Sequence, residues 1–198
     1  MKIANRMFVL MLSVLLASSL YAQEEVTEEK KAEVEETETF TVSRERIELS
    51  YPVSWKKTEP ASRIVEFEIA VPMAEGDEKD GRLTIMGAGG SIEANIDRWK
   101  GQFSQEDGSS TSDHTKVDEI EVDGVKVHMV DITGTFRDQR GPVAPAVQRE
   151  GYRMLAAIVE TDVAGNYFLK LYGPAKTIAE NEERFKDFVN SIKVTPDN

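Results

Sequence analysis

Few residues in this chain could carry chemistry. There are two histidines, His114 and His128, and no cysteine. Thiol catalysis, intrachain disulfides and cysteine-ligated zinc or iron–sulfur centres are excluded, and a multi-histidine metal site is not expected. His114 follows Asp113 in SQEDGSSTSDHT, 104–115, so serines, a histidine and carboxylates share one polar stretch. Folded into contact, such groups act as nucleophile, base and orienter. A low-complexity loop does not hold that geometry, and G-x-S-x-G and H-E-x-x-H are both missing from the chain. Asp113 and His114 are expected as exposed loop residues, and His128 as a sheet-surface or bulge residue. No catalytic residue is assigned.

Two further stretches have the look of ligand loops. GAGG, 87–90, stands where a phosphate loop stands, between a strand and a helix. A G-x-G-x-x-G pattern would need glycine at position 92, which is Ile92, and a P-loop lysine is missing before Ser91. GDEKDG, 76–81, is acidic like a calcium loop, but Lys79 takes a ligand position and Ala88 stands where the loop-closing glutamate belongs. The first is read as a tight turn and the second as a solvated β-turn. No metal and no cofactor are expected.

The remaining binding chemistry is cationic. Arg137, Arg140, Arg149 and Arg153 fall in or beside RDQRGPVAPAVQREG, 137–151, read as a long loop. Arginines beside apolar residues and stiffening prolines suit an acidic protein or another anionic partner. The net charge of -12 argues against nucleic acid, whose phosphates need clustered Lys and Arg.

Elements must position these groups. Lys2 and Arg6 precede an uncharged, mostly apolar run from Met7 to Leu20, with Ser18, Ser19 and Ala22 before Gln23. This predicts a signal peptide over 1–22 and a periplasmic or secreted protein. A membrane span needs about 20 apolar residues, more than this run supplies, so no stable insertion is expected after cleavage. Residues 23–39 hold eight glutamates and two lysines without aromatic, glycine or proline, and read as a disordered acidic leader.

Residues 40–198 form a single expected domain. Alternation predicts strands over 40–51, 63–71 and 82–86. Ile92, Ile96, Trp99 and Phe103 make one helical stripe behind Ser91 as N-cap. Asp123-Gly124 predicts a type I′ hairpin between strands 116–122 and 125–136. The apolar phase changes near His128 to Val130, which predicts a bulge there or a strand buried on both faces. Strands over 152–160 and 167–172 follow, then a helix opened by a capping box, Thr177 with Glu180. Short turns between successive strands imply a largely antiparallel sheet of about six to seven strands covered by helices, an α+β sandwich.

The element order, the early Tyr51-Pro52…Trp55 segment, the middle helix and the closing Asn190-Ser191-Ile192 resemble the PsbP-like (PsbP/Mog-type) superfamily over about 40–195. NIDRWKGQF, 95–103, and FLKLYGP, 168–174, are closer in look to secreted bacterial members of unknown function. The resemblance implies an antiparallel sheet between helices and a binding or accessory role. No family binding residue maps onto the chain. The expected function is an exported non-enzymatic binding or accessory module. The alternatives are an envelope hydrolase using loop histidine and carboxylate residues, and a carrier of a small apolar ligand.

Overall fold

The computed structural model describes residues 35–60, 62–139, 145–162 and 165–195. The predicted signal peptide and most of the acidic leader lie outside them. Strand begins at Thr37, inside the segment read as leader.

The first expected strand is a hairpin. β1, Thr37–Val42, and β2, Ile47–Pro52, pair antiparallel. The chain reverses through Ser43, Arg44 and Glu45, which have φ of 56°, 54° and 66°. Polar, glycine-free turn residues continued the alternation, so periodicity alone did not reveal the reversal. β11, Lys193–Val194, pairs with β2 and completes a three-stranded sheet in the order β1-β2-β11.

The larger sheet has eight strands. β3, Lys56–Thr58; β4, Phe67–Val71; β5, Gly81–Ala88; β6, Phe103–Ser104; β7, Thr115–Val122; β8, Val125–Asp138; β9, Val147–Thr161; and β10, Gly165–Pro174. Their order is β3-β4-β5-β10-β9-β8-β6, with β7 also paired to β8. Every pairing is antiparallel. The α+β architecture stands as expected, but the described residues form eleven strands rather than six to seven. The short edge strands β3 and β6 carry no periodic signature, and residues 63–66 are turn rather than strand. Phe103 leaves the middle helix and pairs with Phe136.

Both ends of the 137–151 stretch are strand rather than loop. β8 runs on to Asp138, β9 starts at Val147, and Arg137 pairs with Gln148. Two very long strands meet there because cross-strand pairing satisfies backbone groups that no local pattern announces. The bulge lies between Gly134 and Phe136, not at His128. Gly134 has φ 143°, and a Cβ there would sit 2.7 Å from the Ser104 carbonyl oxygen. Near His128 the second expected alternative holds. Val127 joins one core and Val130 the other, so β8 is buried on both faces. Asp123 and Gly124 take positive φ of 50° and 77°, the predicted type I′ turn.

The two faces of the large sheet bury different cores. Leu83, Ile85, Leu155, Ala157, Leu169 and Leu171 pack against the small sheet, Ile178 and the closing helices. The closing helix is two helices, α2, Ala175–Glu180, and α3, Glu182–Asn190. Thr177 caps neither. It is fully buried, its N–H and hydroxyl both donate to Asp77 Oδ2 (2.9 and 2.5 Å), and its oxygen accepts from the Ala74 N–H at 3.0 Å. Asn181 marks the break, accepting from Trp55 Nε1 at 3.1 Å and donating to the Thr177 carbonyl at 2.9 Å. On the opposite face Met154, Ala156, Ile158 and Phe168 pack under α1, Ile92–Lys100, through Trp99.

Candidate functional site

A cleft of about 360 Å³ opens on the α1 face of the sheet. It is lined by Arg82, Thr84 and Met86 of β5, Arg98, Trp99 and Gln102 at the end of α1, Lys170 and Tyr172 of β10, and Phe136 to Asp138 of β8. Strand alternation explains its floor. Phe168, Lys170 and Tyr172 share one phase, and that phase faces α1. Lys170 lies between Thr84 and Ala156 in the paired strands, two small neighbours that leave a depression.

Lys170 is only 8% exposed. Its Nζ donates to Gln102 Oε1 at 3.1 Å and lies 5.4 Å from the Trp99 ring centre and 5.8 Å from that of Tyr172. No described carboxylate forms an ion pair with it. Burial, reinforced by the charges of Arg98 and Arg82, pulls its ammonium pKa down to about 7.

Its cationic neighbours are held in place. Arg82 Nε and Nη2 donate to Glu68 Oε1 and Oε2 at 2.6 and 2.7 Å, and Nη1 donates to the Tyr172 hydroxyl. Burial opposes the charge of Arg82, but the bidentate carboxylate outweighs it and raises the pKa. Arg98 Nη2 donates to Asn95 Oδ1 at 2.7 Å. Asn95 is itself anchored, its Nδ2 donating to the carbonyls of Gly89 and Ser91 at 3.2 and 2.8 Å. The GAGG turn therefore orients a side chain that orients Arg98, and Ser91 caps α1 by accepting from the Ala94 N–H. Glu68 pairs with Arg82, and Asp138, at the edge of the cleft, reaches Arg149 at 3.5 Å, so no described carboxylate forms an ion pair with Arg98 or Lys170. Such a site favours an anion.

The four arginines singled out in the sequence do not form one patch. Arg137 is exposed on the rim of this cleft. Arg149 reaches Asp138 Oδ2 at 3.5 Å and lines an adjoining depression beyond Arg82 and Tyr172. Arg153 is spent elsewhere, on Asp131 Oδ2 and Glu182 Oε2, both at 2.8 Å. Arg140 lies outside the described residues. Sequence reasoning missed Lys170, Arg98, Arg82 and Glu68. One signal was available: a lysine in phase with Phe168 and Tyr172 inside an otherwise apolar strand.

The histidines are locally engaged. His128 is part-buried, with Nε2 2.6 Å from Glu160 Oε1 and Nδ1 3.7 Å from Glu119 Oε2. His114 is exposed on a short 3₁₀ turn, Thr111–His114, its Nε2 3.0 Å from Ser109 Oγ. Ser109 donates its only hydroxyl proton to Asp107 Oδ1 at 2.7 Å. In that arrangement His114 is the donor to Ser109 and not its base. Asp107 is held below the usual carboxylate range by that hydroxyl and by the Ser109 N–H. GDEKDG is an exposed turn, as expected, that also acts as a latch, since Asp77 clasps Thr177 and Asp80 Oδ1 accepts from the Met73 N–H at 3.0 Å.

No known family profile matches the chain, and no curated protein matches it. Solved structures do. Cyanobacterial PsbP (CyanoP) from Synechocystis sp. PCC 6803 superposes with a TM-score of 0.50 at 11% identity, over 83% of this chain and 96% of that one. The fold is PsbP-like. A Pseudomonas aeruginosa protein of unknown function, PA94, gives a TM-score of 0.45 at 10% identity, over 81% of this chain and 99% of that one. A crystal structure from Bacteroides thetaiotaomicron gives 0.45 at 11% identity, over 80% of this chain and 48% of that one. At these identities the likeness concerns the PsbP-like fold alone. No helix among the described residues is long and apolar enough to cross a membrane.

Proposed function

We propose that this chain is an exported, non-enzymatic binding or accessory module that holds an anionic group in the cleft between α1 and strands β5 and β10. One observation carries the reading: Lys170, 8% exposed and without a carboxylate partner among the described residues, shares the cleft with Arg98 and Arg82. A buried ammonium is costly without a counter-charge, and an entering anion supplies one. Arg137 on the rim extends the site toward a protein or another anionic partner. The signal-like pattern of residues 1–22 supports export. The cationic lining argues against an apolar ligand, and the hydrogen-bond order at Ser109 argues against a hydrolase at His114.

Titration calorimetry with inorganic phosphate and with acetate tests this. Arg98→Ala removes a charge-assisted contact worth about 1.5–3 kcal/mol, a loss of about 10- to 100-fold in affinity. Equal binding by wild type and Arg98→Ala, or no binding by either, would overturn the proposal.

A further inference from the structure

The cleft joins two features that simple anion binding does not need together. Arginine alone binds carboxylate or phosphate well, and its guanidinium is weakly hydrated and always charged. A lysine held out of water is a poorer anion ligand and a better nucleophile, because desolvation and neighbouring cations favour the neutral amine. Lys170 has both influences, with Trp99 and Tyr172 rings beside its Nζ and Arg82 and Arg98 in the same cleft. A structural lysine of this burial would be expected to carry a carboxylate partner. Here the polar contact is Gln102 Oε1, which accepts one N–H and leaves the nitrogen lone pair uncommitted.

We propose that Lys170 captures a small acid bearing an aldehyde or ketone group, of the 2-oxo acid class, as a reversible imine. The Nζ lone pair attacks the carbonyl carbon, and the carbonyl π pair moves to oxygen, which takes up a proton. The carbinolamine then loses one molecule of water and leaves a C=N bond, with the iminium proton retained on nitrogen. The step consumes one proton from solvent and is redox-neutral. Arg98 holds the carboxylate, and the iminium charge replaces the ammonium charge beside it. A cleft of about 360 Å³ is ample for such a molecule. The proposal rests on the anion-binding reading of the same cleft and names its ligand class.

The probe is glyoxylate, added to the full mature chain at pH 7 with cyanoborohydride to reduce any imine, followed by peptide mapping. About half of Lys170 is neutral at pH 7, against about 1 in 3,000 of an ordinary lysine. Labelling at Lys170 is expected about 10²- to 10³-fold faster than at surface lysines. Acetaldehyde, which lacks the carboxylate, is expected to lose most of that preference, as is Arg98→Ala treated with glyoxylate. Labelling spread evenly over surface lysines, or equal preference with acetaldehyde, would overturn the proposal. Mapping is done on the wild-type chain, so it does not depend on a Lys170 variant folding. Phosphate binding measured in parallel separates the two readings: binding without labelling sinks the imine and leaves the anion site standing.

Discussion

Lys170→Met removes a buried amine and keeps a flexible side chain of similar length, so the fold should tolerate it. The native state holds the Lys170 pKa near 7, against 10.5 for an ordinary lysine. Each tenfold change in that proton equilibrium is about 1.4 kcal/mol, so the full penalty of burying the ammonium is about 5 kcal/mol. The sign follows from proton counting. Between pH 7 and 10.5 the unfolded chain binds a proton at this lysine that the folded chain lacks, so wild-type stability rises with pH. The penalty is absent above pH 10.5, grows as pH falls, and is complete below about 7. Urea unfolding followed by fluorescence of Trp55 and Trp99, 2% and 1% exposed, gives the stability at each pH. The variant loses the Gln102 hydrogen bond, worth about 1 kcal/mol, but escapes the larger penalty. It is therefore expected to exceed wild type by about 3 kcal/mol at pH 7, and the gap should shrink by about 2 kcal/mol by pH 9. Other titrating groups shift both proteins alike and cancel in the difference. A gap that stays constant over this range would show that Lys170 keeps its proton in the fold, and the reasoning about the cleft would fail.

Two further outcomes test the frame around the cleft. Glu68→Gln leaves the Arg82 guanidinium without its bidentate partner and should cost about 3 kcal/mol in urea unfolding; an unchanged midpoint would mean that cleft water serves Arg82 equally well. Gly173→Ala places a Cβ 2.9 Å from the Gly81 Cα across the β5–β10 pair, and overpacking there should cost about 1–3 kcal/mol, read as a lower thermal midpoint.

Much of the fold was legible because the relevant signals are local. Period-two alternation marks β2 and β5, and the helical stripe marks α1. Asp123-Gly124 marks the β7–β8 turn because positive φ at both central positions suits few residue pairs. Where local signals were silent or ambiguous, the reading failed. Nothing in RDQRGPVAPAVQREG shows that Arg137 will pair with Gln148, since that register depends on strands already aligned further along. Thr177 and Glu180 fit a capping box, but Asp77, a hundred residues earlier, takes the Thr177 hydroxyl. The arginines of the 137–153 region stood out by clustering in the chain, and tertiary pairing dispersed them, with Arg153 drawn to Asp131 and Glu182.

The sequence alone determined the chemistry that is missing and the class of the fold. A chain with two histidines and no cysteine has no thiol chemistry, and its alternating strands with two amphipathic helical stretches leave an α+β sandwich as the economical way to bury its apolar faces. Tertiary structure decided where the charges act. Lys170 becomes a perturbed amine only because β10 is central, its α1 face is roofed by Trp99, and Arg82 and Arg98 arrive from β5 and α1. Burial and the proximity of like charges are properties of assembled layers, so a lysine in FLKLYGP reads as an oddity in the chain and as a candidate ligand-binding group in the fold.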